Sequence, residues 1–172
     1  KCGGMAFGIR PESVKEVTRA SKGALKKTPL IVKLSPNVES IAVNALAAQE
    51  GGADAVSLVN TFTGMVIDIE RRRPLIANNT GGVSGAGIMP IAVRMTHEVC
   101  SAVTVPVIGM GGITCAEDAL QFIIAGASAV QVGTANFTDT LAMPKIIAGL
   151  NAWLDGHGIG NINELRGTLK LN

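Results

Sequence analysis

The sequence predicts an α/β fold: parallel strands under flanking helices, amounting to the C-terminal half of a TIM (β/α)8 barrel. Three observations carry this. Short β-branched runs alternate with longer helical patterns along the chain. A strand–helix–strand unit repeats: Thr28-Pro-Leu-Ile-Val32 is echoed by Val105-Pro-Val-Ile-Gly109, and Gly52-Ala-Asp-Ala-Val56 by Gly126-Ala-Ser-Ala-Val130. The last two strands then stop in glycine, at Gly109-Met-Gly-Gly112 and Gly133-Thr134, and each gives way to a helical pattern. Paired turns of this kind match the phosphate site after the final strands of a parallel barrel. Residues 1–172 read as a single domain. Its strands are about half of an eight-stranded barrel, which usually needs about 250 residues. The expectation is an N-terminally truncated chain, with the missing half upstream of Lys1.

Taken in order, residues 11–27 are polar with Val14, Val17 and Leu25 at helical spacing, and Pro11 suits a first turn. Residues 28–34 are a short buried strand, broken by Ser35-Pro-Asn37, where Asn37 is placed to cap a helix over 38–50. Gly51 and Gly52 end that helix, and 55–59 form the next strand. Residues 65–69 and 74–77 could pair as a hairpin around Glu70-Arg-Arg-Arg73, its arginines forming a solvated tip, and 80–87 read as a flexible glycine loop. A helix follows, with Ile88, Ile91, Met95, Val99 and Ala102 on one face. Thr114 and Glu117 fit a capping box for a helix over 116–125. A last long helix runs over about 141–153, and 162–169 reads as a short terminal helix.

Composition narrows the function. The chain is 47% hydrophobic and 16% charged, which is a core-forming domain rather than a disordered one. Only 3% is aromatic, and the net charge of +2 has no long basic run behind it, so neither nucleic acid nor a membrane surface is expected as a partner. No apolar stretch approaches a membrane span. The 3 cysteines, Cys2, Cys100 and Cys115, lack metal-ligand spacing and read as reduced thiols, which predicts a cytoplasmic protein. His97 and Cys100 lie three apart without a second pair, so no metal site is expected.

Function in a parallel barrel sits at the C-terminal strand ends. Lys33 interrupts an apolar strand there, where a buried charge needs an anionic partner. It could be a Schiff-base nucleophile or a fixed positive charge beside a cofactor. Asn60 offers a donor and an acceptor suited to a planar heterocycle, and Thr61 adds a hydroxyl. Gly85 lies in a loop able to close over a ligand. Cys115 sits at a helix start, where a thiol can be activated.

Six motifs in order resemble the dihydroorotate dehydrogenase family, in its NAD-linked, two-subunit class: Lys1-Cys-Gly-Gly-Met-Ala-Phe-Gly8, Val32-Lys-Leu-Ser-Pro-Asn37, Val59-Asn-Thr61, Thr80-Gly-Gly-Val-Ser-Gly85, Ile108-Gly-Met-Gly-Gly-Ile113 and Val132-Gly-Thr-Ala-Asn-Phe137. The resemblance implies the catalytic, FMN-bearing subunit, oxidising dihydroorotate to orotate in de novo pyrimidine biosynthesis. It implies that Lys33, Val59, Gly85, Gly111, Gly112, Gly133 and Thr134 hold FMN, and that Asn60 and Thr61 bind the substrate. It also implies a homodimer of catalytic subunits with an electron-transfer subunit carrying FAD and an iron–sulfur cluster. The family's catalytic cysteine motif, Asn-x-Ser-Cys-Pro-Asn, would fall upstream of Lys1. Cys2 does not inherit that role, so no catalytic base is assigned, and the chain alone is expected not to turn over. The alternatives are a dihydropyrimidine dehydrogenase-type flavin barrel, a flavin-free aldolase-like barrel using Lys33, and a phosphate-binding interaction module.

Overall fold

The computed structural model describes residues 7–172. The Cys2 thiol and most of the Lys1–Gly8 motif lie outside the described residues. Helix α1 (Pro11–Ala24) begins with proline, whose missing N–H costs nothing in a first turn, and buries Val14 and Thr18. Strand β1 (Ile31–Lys33), helix α2 (Ile41–Glu50) and strand β2 (Ala55–Leu58) form the first parallel unit. Two short antiparallel ribbons follow: β3 (Phe62–Gly64) with β6 (Gly81–Val83), and between them β4 (Ile67–Asp68) with β5 (Arg73–Pro74). The chain returns through a 3-10 turn (Ala86–Ile88) to α3 (Met89–Ala102), β7 (Val107–Met110), α4 (Ala116–Ile124) and β8 (Ala129–Gln131). It closes with α5 (Ala135–Thr138), α6 (Ala142–Gly156) and a 3-10 turn over Ile162–Glu164.

The main sheet has 4 strands in the order β1-β2-β7-β8, and each neighbouring pair is parallel. Register aligns Lys33 with Ser57, Ser57 with Ile108, and Ile108 with Ala129, so one row of residues crosses the concave face. The alternate residues Val32, Val56, Leu58 and Val130 belong to the core beneath the helices. Helix α1 packs on α2, α2 on α3, α3 on α4, and α4 on α6. Phe122 is fully buried against the bare backbone of Gly109, where a Cβ would come within 2.5 Å of its ring. Burying such a ring contributes about 1.5–3 kcal/mol. Among the described residues no strand pairs with the outer edge of β1 or of β8, and Ile31 on β1 is 49% exposed.

Asp54 fastens the far end of this sheet. Its carboxylate accepts from Lys22 Nζ at 2.5 Å and from the Leu30 N–H at 2.6 Å. The Lys22 bond, then the Leu30 bond, hold its pKa below the ordinary value.

Several local expectations need correction. Asn37 does not cap α2: Ser40 takes the N-cap position, and Asn37 faces the next loop instead. The capping box before α4 sits one residue later, on Cys115 and Asp118 rather than Thr114 and Glu117. Asp118 accepts from the N–H groups of Thr114 and Cys115 at 2.8 and 3.2 Å, and from the Thr114 hydroxyl at 2.7 Å. Ile91 is exposed, because the inner face of α3 is Ala92, Met95, Thr96 and Val99. The glycine loop over 80–87 is partly strand, since Gly81–Val83 pair with Phe62–Gly64. The terminal helix is only the 3-10 turn, capped at Leu165; the N–H groups of Gly167 (φ +72°) and Leu169 then bond back to Ile123 and Ile124. No helix among the described residues is long and apolar enough to cross a membrane.

Candidate functional site

The C-terminal ends of the four strands open into a cleft of about 590 Å3. Every residue singled out for a cofactor or substrate lines it: Lys33 from β1, Val59, Asn60 and Thr61 after β2, Gly85 before α3, Gly111 and Gly112 after β7, Gly133 and Thr134 after β8. Parallel topology explains the convergence, since all strands point to the same rim. A second, polar cavity of about 330 Å3 adjoins it, sharing Lys33, Asn60 and Thr61 and walled by Ser35, Asn37, Thr63, Thr80 and Gly82 among others.

The glycine turns are shaped by close approach. Gly111 (φ +135°) and Gly112 (φ +79°) adopt conformations that L side chains rarely take. A Cβ on Gly111 would meet the Ala92 methyl at 2.8 Å, and one on Gly112 would meet the Gly85 carbonyl oxygen at 2.8 Å. Gly133 is different: nothing lies within 4 Å of its would-be Cβ, so its side faces open cleft. Backbone bonds hold the strand ends together, Val59 N–H to Met110 O at 2.9 Å and Asn60 N–H to Leu34 O at 3.1 Å.

Two electrostatic expectations change. Lys33 is exposed rather than buried, because β1 is an edge strand and one flank of the lysine is open. It forms no ion pair among the described residues. The N-terminus of α4 is not a free anion site, since its own Asp118 takes the Thr114 and Cys115 donors. Burial pushes the Asp118 carboxyl up, but those hydrogen bonds outweigh it and hold it below the ordinary value. Cys115 is not activated: burial and the neighbouring carboxylates push its thiol up. Among the described residues, no group of three or more His, Cys, Asp or Glu is placed to hold a metal.

Sequence reasoning passed over several lining residues. Ile88 and Met110 add to the apolar wall that Val59 provides, Gln131 projects from β8, and Phe137 stands at the lip, 92% exposed. Ser84 accepts a hydrogen bond from the Thr134 hydroxyl at 3.0 Å, joining the loop before Gly85 to the turn after β8. Its position beside Gly85 in a quoted motif was the available signal.

A parallel α/β sheet with its cleft at the strand C-termini, floored by apolar side chains and rimmed by glycine turns, defines a (β/α)-barrel type of protein. The family model described as Dihydroorotate dehydrogenase matches residues 1–154. The chain belongs to the dihydroorotate dehydrogenase family. It is 53% identical over 171 residues to the "Dihydroorotate dehydrogenase B (NAD(+)), catalytic subunit" of Bacteroides fragilis, covering 99% of this chain and 56% of that protein. The Geobacillus kaustophilus protein of the same description is 53% identical over 167 residues, covering 97% of this chain and 53% of that one. The chain thus spans just over half the length of the curated relatives it matches. Among solved structures, "Crystal structure of DHODH in complex with ferulenol from Eimeria tenella" superposes with a TM-score of 0.77 at 23% identity, covering 92% of this chain and 48% of that one, a likeness of fold.

Proposed function

We propose that this chain is the flavin-holding portion of an enzyme that oxidises dihydroorotate to orotate in de novo pyrimidine biosynthesis, with FMN as the immediate acceptor. The observation that carries the reading is the convergence of Lys33, Asn60, Thr61 and the glycine turns on one cleft in a chain of this family. The residues fit FMN. The cleft is of mononucleotide size, Val59, Met110 and Ile88 offer an apolar wall to a planar ring, and the glycine turns leave room for a phosphate.

The chemistry that FMN supplies when bound is acceptance of a hydride equivalent from the substrate. The chain's own residues bind and orient. Gly111, Gly112, Gly133 and Thr134 hold the phosphate through backbone N–H groups and a hydroxyl. Gly85 and the Val59 backbone lie against the flavin. Lys33 sets a positive charge where negative charge grows on reduction. Asn60 and Thr61 hydrogen-bond the substrate ring from the adjoining cavity. No residue of this sequence is given the role of proton acceptor in this reading.

The assembly in this reading is a homodimer of catalytic subunits with an electron-transfer subunit carrying FAD and an iron–sulfur cluster, in the cytoplasm. Two things support it. The relatives' description names a catalytic subunit and NAD(+). The β4–β5 hairpin also exposes Val66, Ile67, Ile69 and Leu75, an apolar patch suited to a protein contact.

The test uses the intact protein. It is expected to purify yellow, and dihydroorotate added without oxygen should bleach its flavin absorbance. Bleaching by dihydrouracil but not by dihydroorotate would favour the dihydropyrimidine reading. A colourless protein trapped at Lys33 by borohydride would favour the aldolase-like one.

A further inference from the structure

We propose that Asn37 is a positioning residue for substrate recognition, holding Thr61 and Thr63 so that Asn60 and Thr61 face the bound substrate; this rests on the function proposed above. Asn37 lies in the loop after β1 and walls the polar cavity. Its Nδ2 donates to the Thr61 carbonyl at 3.0 Å and to Ser35 Oγ at 3.4 Å. Its Oδ1 accepts the Thr63 N–H at 2.9 Å. An amide nitrogen has two hydrogens, and both are committed inside the protein. Asn37 therefore has no N–H left for a ligand and acts through the neighbouring loop. Ser35 Oγ also accepts the Asn37 backbone N–H at 3.2 Å, which fixes the loop that presents the amide.

The same threonine is fixed from the opposite side. Gly82 pairs with Thr63 across the β3–β6 ribbon, and a Cβ at Gly82 would fall 2.7 Å from Thr61 Cβ. Rotating the threonine side chain does not relieve a contact between two Cβ atoms. Thr61 is thus held between an amide clamp on its carbonyl and a glycine against its side chain. The clamp spans the β1 and β2 loops, and so ties the Asn60–Thr61 pair to the strand that carries Lys33.

The experiment compares Asn37→Ala, Asn37→Asp and Gly82→Ala in the intact enzyme. Losing the clamp should raise the KM for dihydroorotate about tenfold, as expected for loss of one or two neutral hydrogen bonds. The Ki of orotate should rise with it, while kcat and FMN affinity stay within about threefold of wild type. Asn37→Asp keeps the Thr63 acceptor but sets a carboxylate oxygen against the Thr61 carbonyl, so it should raise KM at least as much as Asn37→Ala. Gly82→Ala should give the same split, and the double variant less than the product of the two effects, because both act through Thr61. A KM and Ki within twofold of wild type would overturn the proposal. So would a loss of FMN affinity in step with KM, which marks general disruption of the rim. Should Asn37→Ala not fold, the Asp and Gly82 variants decide by the same criteria. Failure of the wild-type protein to reduce its flavin with dihydroorotate is a separate result: it removes the parent reading, and this one with it.

Discussion

Ser84 and Thr134, 50 residues apart in sequence, share a hydrogen bond of 3.0 Å across the rim of the cleft. It joins the loop that carries Gly85 to the turn that carries Gly133. Thr134→Val keeps the volume and removes the hydroxyl, which bonds the two loops and, in the function proposed above, donates to the phosphate. A neutral hydrogen bond is worth about 0.5–1.5 kcal/mol. FMN affinity, measured by flavin fluorescence on titration, should weaken by a factor of roughly 2–12. Unchanged affinity would place the phosphate elsewhere.

Gly112→Ala should be the more damaging change. It forces a side chain into φ +79° and drives a Cβ to 2.8 Å from both the Gly85 carbonyl and Met89 Cβ. Such strain costs about 1–3 kcal/mol. The variant should lose bound flavin on gel filtration and melt earlier. Retention of full flavin occupancy would show that the two loops separate easily.

Lys33 is exposed and makes no ion pair among the described residues, so its removal should leave the fold intact. Lys33→Ala should preserve the melting temperature and slow substrate-driven flavin reduction by on the order of a hundredfold, as for other preorganised charge-stabilising groups. Stopped-flow absorbance reads the rate. A rate within threefold of wild type would exclude a role for the charge.

Asp118 gives a pH signature. Its pKa is lowered in the folded protein, so its stabilisation is complete above the ordinary carboxylate range and lost as pH falls through the folded pKa. Asp118→Asn should melt earlier at pH 7, by an amount fitting loss of a helix cap worth about 1 kcal/mol. The difference should shrink in acid and vanish once Asp118 is protonated. A difference independent of pH would show that shape, not charge, makes the cap.

Cys100 should resist alkylation in the native protein at pH 8. Burial pushes its thiol up to about 11, so little thiolate is present. Labelling followed by mass spectrometry should show Cys100 modified quickly only after denaturant is added.

The four strands and the helices covering them were legible because each has its own hydrophobic period, and the repeat at Thr28 and Val105 marked the unit. The misread positions are those where several local partners compete. Asn37 has the chemistry of a helix cap, but its amide is satisfied better by Thr61 and Thr63, which are distant in sequence. Thr114-Cys-Ala-Glu-Asp118 offers two overlapping capping boxes, and the shorter carboxylate won. A helical pattern is expected after Thr134, but its division into α5 and α6, broken at Asp139, is marked by no hydrophobic period. The polarity of Lys33 pointed to the strand end, but its exposure depends on what flanks β1, which no local pattern states. Gly82 looked like one more flexible glycine; its contact with Thr61 appears only once β3 and β6 are paired.

The β3–β6 pairing has a consequence for how this region tolerates change. Phe62–Gly64 and Gly81–Val83 cinch the base of the excursion that carries the β4–β5 hairpin. Insertions, deletions or grafted sequence at the tip of the β4–β5 hairpin, over residues 69–72, lie away from the residues that wall the cleft and its adjoining cavity. The hairpin tip can change in sequence and length while the geometry of the cleft mouth stays constant.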